Sequence, residues 1–168
     1  RVSGTTVLFW FAGLLVQREK IDFQDFLRIF LASVFGIALN MLTFFKGLSL
    51  TTPISAAVIM VTTPIFVLSF SAFLIRERTS KSKIFGIFTG MAGALLLILY
   101  GRVLGSGGSS AWGNFLVFVN AASYSLYLIL TRSLTQKYNP ITLSKWIYLF
   151  GLLMVIPFGL SEVNQISW

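Results

Sequence analysis

From Lys46 to Arg78 the chain reads KGLSLTTPISAAVIMVTTPIFVLSFSAFLIRER. No charged residue occurs between Pro53 and Ile75, and the only polar side chains there are serines and threonines. At about 1.5 Å of rise per residue, some twenty such residues cross a hydrocarbon core of about 30 Å. The start is marked by Thr52, a natural N-cap, and by Pro53, whose missing N–H would be unpaired in a first helical turn anyway. The end is marked by Arg76-Glu77-Arg78. Pro64 sits near the middle, where it removes the backbone bond to the Met60 carbonyl and kinks the helix. A broken transmembrane helix is therefore expected, and the other apolar stretches must be arranged around it.

Composition leaves no alternative to lipid. The chain has 168 residues, 56% of them hydrophobic and 11% charged, against about 25% charged in soluble domains. Its mean hydropathy is +0.86. There is no cysteine, so neither a disulfide framework nor a thiolate metal site can form. The absence of histidine removes the commonest general base and metal ligand. No cofactor or metal is expected. The net charge of +8 reports loop charge and orientation rather than nucleic-acid binding. The first residue is Arg1, within what reads as the second half of a helix, so the chain is taken as a piece of a longer protein.

Six spans are expected: Val2 to Val16, Phe26 to Phe45, Pro53 to Ile75, Ile84 to Tyr100, about Trp112 to Leu130, and about Ile141 to Leu160. Gly101 to Gly113 contains GSGGSS, a flexible linker composition and the best boundary in the chain. Asn139-Pro140 repeats the cap-then-proline start. Alternate loops hold ten of the lysines and arginines against three on the other side, so the ten mark the cytoplasmic face.

Two spans carry polar stripes. Ser33, Gly36, Asn40, Thr43 and Gly47 share one face of the second, and Asn120, Ser123, Tyr124, Tyr127 and Thr131 share one face of the fifth. Unpaired polar groups in hydrocarbon cost several kcal/mol, so each stripe must face protein or water. Interhelical packing is one reading; a shared aqueous cavity is the other. The carbonyl freed by Pro64, with the Thr62 and Thr63 hydroxyls, either closes on itself or faces a substrate path. Lys46 either snorkels to the interface or marks the mouth of a site for an anionic or zwitterionic substrate. Gly86, Gly90 and Ala94 form a small-residue face for close helix packing, which would also suit a homodimer. Glu77, between Arg76 and Arg78, reads as a local ion pair fixing its loop. Asp22 and Asp25 read as loop residues beside Lys20 and Arg28. No carboxylate lies deep within a span, and no catalytic constellation or phosphate-binding loop is present.

The run FFKGLSLTTPISAAVIMVTTPIFVLSFSAFLIRER followed by FGIFTGMAGALLLI resembles the EamA-type domain of the drug/metabolite transporter superfamily. The matching positions are Phe44, Phe45, Thr51, Thr52, Ala56, Ala57, Thr63, Pro64, Glu77, Gly86 and Gly93. WGNFLVFVNAASYSLYLILTRSL resembles the opening helix of that family's second repeat, through Gly113, Asn114, Ala121, Ser123 and Tyr127. The resemblance implies an all-α polytopic membrane fold of two inverted five-helix repeats. Residues 1–104 would hold helices two to five of the first repeat, 105–111 the linker, and 112–168 the first two helices of the second. It also implies that Arg1 stands where many members carry an intramembrane arginine. Lys46 departs from the aromatic residue common at its position, so no substrate class carries over.

The functional expectation is a secondary transporter of small metabolites in a bacterial cytoplasmic membrane, working by alternating access. Its partners would be the lipid bilayer and a small-molecule substrate, with no nucleic acid. The cavity candidates are Arg1, Asn40, Lys46, Thr63, Pro64, Asn120, Tyr124 and Tyr127. The rival is a non-transporting helix-bundle scaffold or lipid-handling module.

Overall fold

A computed structural model of the chain describes residues 2–16, 19–75, 80–102 and 110–163. Among them it shows six helical rods and no strand. These are α1 (Val2–Leu14), α2 (Phe23–Leu50), α3 (Pro53–Ile75), α4 (Lys81–Arg102), α5 (Ala111–Thr135) and α6 (Pro140–Val163). Among the described residues α2, α3, α5 and most of α6 are long and apolar enough to cross a membrane, and α1 is a shorter apolar helix. The chain is all-α and polytopic.

The helix starts follow from local chemistry. The Thr52 side chain accepts from the Ser55 N–H at 3.1 Å, with Pro53 at the first helical position. Asn139 Oδ1 accepts from the Ile141 N–H at 2.9 Å, ahead of Pro140 and α6. The second span is longer than its apolar pattern suggests. It does not close at Lys46 but runs on to Leu50, leaving only Thr51 and Thr52 before α3. Two widened π-helical turns, Val34–Ala38 in α2 and Ser71–Ile75 at the end of α3, have no counterpart in the sequence reading.

The chain forms two compact units, Arg1–Ala38 with Leu130–Trp168, and Leu39–Ile129. This grouping cuts across the division at the Gly/Ser linker, of which residues 105–109 lie outside the described residues.

In the first unit α1 lies along α6. Phe9 stacks on Tyr148 with ring centroids 5.4 Å apart, and the buried Thr6 hydroxyl donates to the carbonyls of Val2 and Tyr148. The start of α2 packs on α6 through Phe26 and Phe30, which meet Phe150 edge-on at 5.2 and 5.6 Å. Deeper along the same seam the π-helical turn presents Ile37 to Gly151. A Cβ on Gly151 would stand 2.6 Å from Ile37 Cγ2, so the absent side chain is what lets the turn approach.

In the second unit the C-terminal half of α2 lies against α5. A Cβ on Gly113 would come within 2.7 Å of the Leu50 backbone, and one on Gly47 within 2.9 Å of Val117. The Ser110 N–H donates to the Leu50 carbonyl at 3.1 Å, and the Thr51 hydroxyl donates to Asn114 Oδ1. Phe66 of α3 meets Phe118 of α5 edge-on at 4.9 Å.

Candidate functional site

The break in α3 is where the sequence places it. The α-helix runs from Pro53 to Met60, passes through a turn at Val61 and Thr62, and resumes at Thr63. A proline has no N–H to offer the carbonyl four residues back. That carbonyl is not left open: the Thr63 hydroxyl donates to Met60 O at 2.6 Å, and the Thr62 hydroxyl donates to Ile59 O at 2.6 Å. One further bond ties the break to its neighbour, since Ser125 Oγ on α5 donates to the Thr63 carbonyl at 3.2 Å.

Beside this break lies a cavity of about 760 Å³. Its wall includes Met60, Thr63, Pro64, Gly86, Gly90 and Leu128. The size falls within the range of small-molecule pockets, and the surface is overwhelmingly apolar, with the Thr63 side chain among its few polar groups. Within this chain no element packs closely on Gly86 or Gly90, the positions expected to serve close packing. A Cβ at either position would find no atom within 4 Å; both border open space. Close helix approach falls instead at Gly47, Gly113 and Gly151. The Ala94 side chain, Glu77 and Arg1 lie outside the described residues.

The polar stripes meet directly in the second unit. Asn120, 2% exposed, donates through Nδ2 to the Asn40 backbone carbonyl at 2.8 Å. Thr43 is also buried, and its hydroxyl donates to Leu39 O at 2.7 Å. This part of the two stripes is a packed interhelical contact, as the first of the two readings has it, with no cavity between Asn40 and Asn120. The Asn40 side chain is not what Asn120 holds. Lower on α5, Tyr124 and Tyr127 stand as a tilted pair with centroids 6.0 Å apart, and neither lines the cavity beside Pro64. The Lys46 side chain is exposed.

A second constellation went unseen in the sequence. Asp25 is not a loop residue: it sits in the first turn of α2, buried. Its Oδ2 accepts from the Tyr138 hydroxyl at 2.8 Å and from Lys137 Nζ, while Arg28 lies 3.6 Å from Oδ1. Lys137 also pairs with Asp22 at 2.9 Å, and the Asp22 N–H donates to the Tyr138 hydroxyl at 3.3 Å. Nearby, Glu19 Oε2 accepts from the Asn139 N–H at 2.9 Å. The Asp25 carboxylate, then the Asp22 carboxylate, hold the Lys137 ammonium well above the usual lysine range. The cluster fastens the start of α2 to the short turn between α5 and α6. One signal was available: Asp25 directly precedes the apolar run that begins at Phe26, and Lys137-Tyr138 in a basic turn can supply the partner a carboxylate needs there.

Residues 2–99 match the EamA-like transporter family. Among curated proteins the chain is 28% identical, over 94% of its length, to an uncharacterized transporter of Archaeoglobus fulgidus, covering 55% of that protein. It is 25% identical, over 86% of its length, to the uncharacterized transporter YetK of Bacillus subtilis, covering 44%. An uncharacterized transporter of Acidianus ambivalens is 31% identical over 63% of the chain and 40% of its own length. The chain thus spans about half the length of the curated relatives it matches. No solved structure matches it.

Proposed function

The chain belongs to the EamA-like transporter family, and on that premise we propose that the intact protein is a secondary transporter moving small metabolites across the cytoplasmic membrane by alternating access. The observation that carries this reading is the interrupted helix α3 with the cavity of about 760 Å³ against its break. Broken membrane helices serve transporters because their unpaired backbone groups can meet a substrate at the bilayer midplane. Here the Met60 carbonyl is held by the Thr63 hydroxyl at the cavity wall. A polar substrate group could take over either partner of that bond. The largely apolar wall suits an amphipathic metabolite better than a multiply charged one. The lysine and arginine asymmetry supports an orientation with the turn at Lys137 on the cytoplasmic side.

Filling the cavity tests the proposal. Gly90 has room for a side chain, so Gly90→Leu in the intact protein should fold normally and occupy the substrate space. Uptake of labelled amino acids, purines and amphipathic drugs into proteoliposomes would be compared with the wild type. Uptake by the wild type that survives unchanged in Gly90→Leu would remove the cavity from the transport path. The direct Asn120 to Asn40 bond favours a second reading, a packed bundle that transports nothing. That reading expects Gly90→Leu and the wild type to be equally inert with every substrate class.

A further inference from the structure

We propose that α1 and α6 form a binding site for one membrane phospholipid, with the headgroup phosphodiester on Lys145 and an acyl chain along the outer face of α1. A pocket of about 340 Å³ is walled by Trp10, Gly13, Glu19, Thr142, Lys145 and Trp146. The Lys145 ammonium lies 4.9 Å from the Trp10 ring centre and 5.7 Å from that of Trp146. Its stem rests on Gly13, where a Cβ would stand 3.1 Å from Lys145 Cδ. Two indole faces and the glycine thus fix the cation in place. Among the described residues Lys145 makes no ion pair, unlike Lys137, which has two carboxylates. Glu19, the one carboxylate in the pocket wall, already accepts the Asn139 N–H. An immobilised ammonium with donors to spare is a site for an anionic oxygen.

Position supplies the rest. Lys145 lies five residues inside α6, about 7 to 8 Å from its start, and Trp10 lies four residues, about 6 Å, before the end of α1. Both ends are on the lysine- and arginine-rich side, so the cation and the two indoles sit at headgroup depth. A second hollow of about 350 Å³ runs from there toward the membrane centre, lined by Thr6, Val7, Trp10, Phe11, Leu14 and Leu149. Trp10 and Leu14 belong to both walls. A polar pocket at headgroup depth continues into an apolar groove at acyl depth. A free phosphate would use only the first, and a neutral hydrocarbon only the second. A phospholipid uses both.

The test is native mass spectrometry of the intact transporter in detergent with added phosphatidylglycerol. The wild type should retain one lipid in preference to the equal-chain diacylglycerol, which lacks the phosphodiester. Lys145→Gln should lower retention about tenfold, the scale of one charge-assisted hydrogen bond, and Lys145→Arg should restore most of it. Phe11→Ser, at a position 65% exposed in this chain, should weaken retention through the groove alone, in a variant whose melting midpoint matches the wild type. Equal retention by the wild type, Lys145→Gln and Phe11→Ser would mean annular lipid only and overturn the site. Diacylglycerol held as tightly as phosphatidylglycerol would overturn the phosphodiester assignment. Displacement of the lipid by inorganic phosphate would overturn the lipid as occupant.

Discussion

Tyr138 donates its hydroxyl hydrogen to the buried carboxylate of Asp25 across 2.8 Å, while the same oxygen accepts the Asp22 N–H at 3.3 Å. One phenol thus serves the first turn of α2 twice, as donor to a side chain and acceptor for the backbone. Removing it loses two hydrogen bonds at once, although Asp25 keeps Lys137 and the exposed Asp22 keeps water, and each lost bond lowers stability. Tyr138→Phe should therefore lower the thermal midpoint of the purified protein. Asp25→Asn should lower it further, because it also removes the charge that faces Lys137 and Arg28. A scanning-fluorescence melt in detergent reads both, and a Tyr138→Phe midpoint equal to the wild type would show the cluster to be decorative.

The same cluster makes a pH prediction through Lys137. The carboxylates of Asp25 and Asp22 raise its pKa above the ordinary lysine value of 10.5. A raised pKa means that the folded chain holds the proton more tightly than the unfolded one. The stabilisation is then complete below the unfolded lysine pKa and fades only as pH rises through the folded one. Subtracting the midpoint of Lys137→Met from that of the wild type should give a constant difference from about pH 7 to about pH 10, shrinking only above that. A difference that collapses between pH 7 and pH 9 would contradict this assignment of the proton.

Much of the fold was legible, and the reason lies in which interactions are local. Thr52-Pro53 and Asn139-Pro140 announce helix starts because a cap is a bond between near neighbours in sequence. Pro64 announces a break because its effect reaches only four residues back. The partners of Asp25 lie more than a hundred residues away, at Lys137 and Tyr138, and no periodicity carries that information. Glycines illustrate the same divide. Gly86, Gly90 and Ala94 have the spacing of a packing motif, yet Gly86 and Gly90 face open space. Gly151 and Gly113, part of no such motif, are where neighbouring elements touch. The π-helical turn at Val34–Ala38 was equally hidden, since its match to Gly151 is a property of two helices together.

Those two glycines respond differently to the same substitution. Gly151→Ala would press a methyl group onto the Ile37 side chain at 2.6 Å, and Gly113→Ala would press one onto the Leu50 backbone at 2.7 Å. Overpacking of this kind costs about 1–3 kcal/mol, seen as a lower midpoint in either variant. A side chain can be trimmed and a backbone cannot. Ile37→Gly, the one truncation that also removes the Ile37 Cβ standing 2.7 Å away, should therefore relieve the clash of Gly151→Ala when the double variant is compared with Ile37→Gly alone, while no truncation of Leu50 should rescue Gly113→Ala. Failure of the first rescue would show that the contact is not the cause of the loss.

The bond between Asn120 and Asn40 runs from a side chain to a backbone carbonyl. Asn120→Ala should cost about 0.6–2 kcal/mol, the range of interhelical hydrogen bonds in membranes. Asn40→Ala should cost markedly less, because the carbonyl that accepts the bond survives. Equal losses from the two substitutions in a denaturation series would mean that the Asn40 side chain carries a role of its own.

Pro64 separates the structural from the transport role of the break. Alanine there would supply the missing N–H, which can bond to Met60 O and displace the Thr63 hydroxyl that now donates to it at 2.6 Å. The helix would gain a backbone bond and lose its interruption, so Pro64→Ala should melt no lower than the wild type. Thr63→Val should act in the opposite sense: it leaves Met60 O without its donor while the proline remains, and should melt lower. If the break serves transport, both variants should move less substrate into proteoliposomes, although their stabilities shift in opposite directions. Uptake that follows stability instead, intact in Pro64→Ala and reduced only in Thr63→Val, would make the interruption a matter of packing alone.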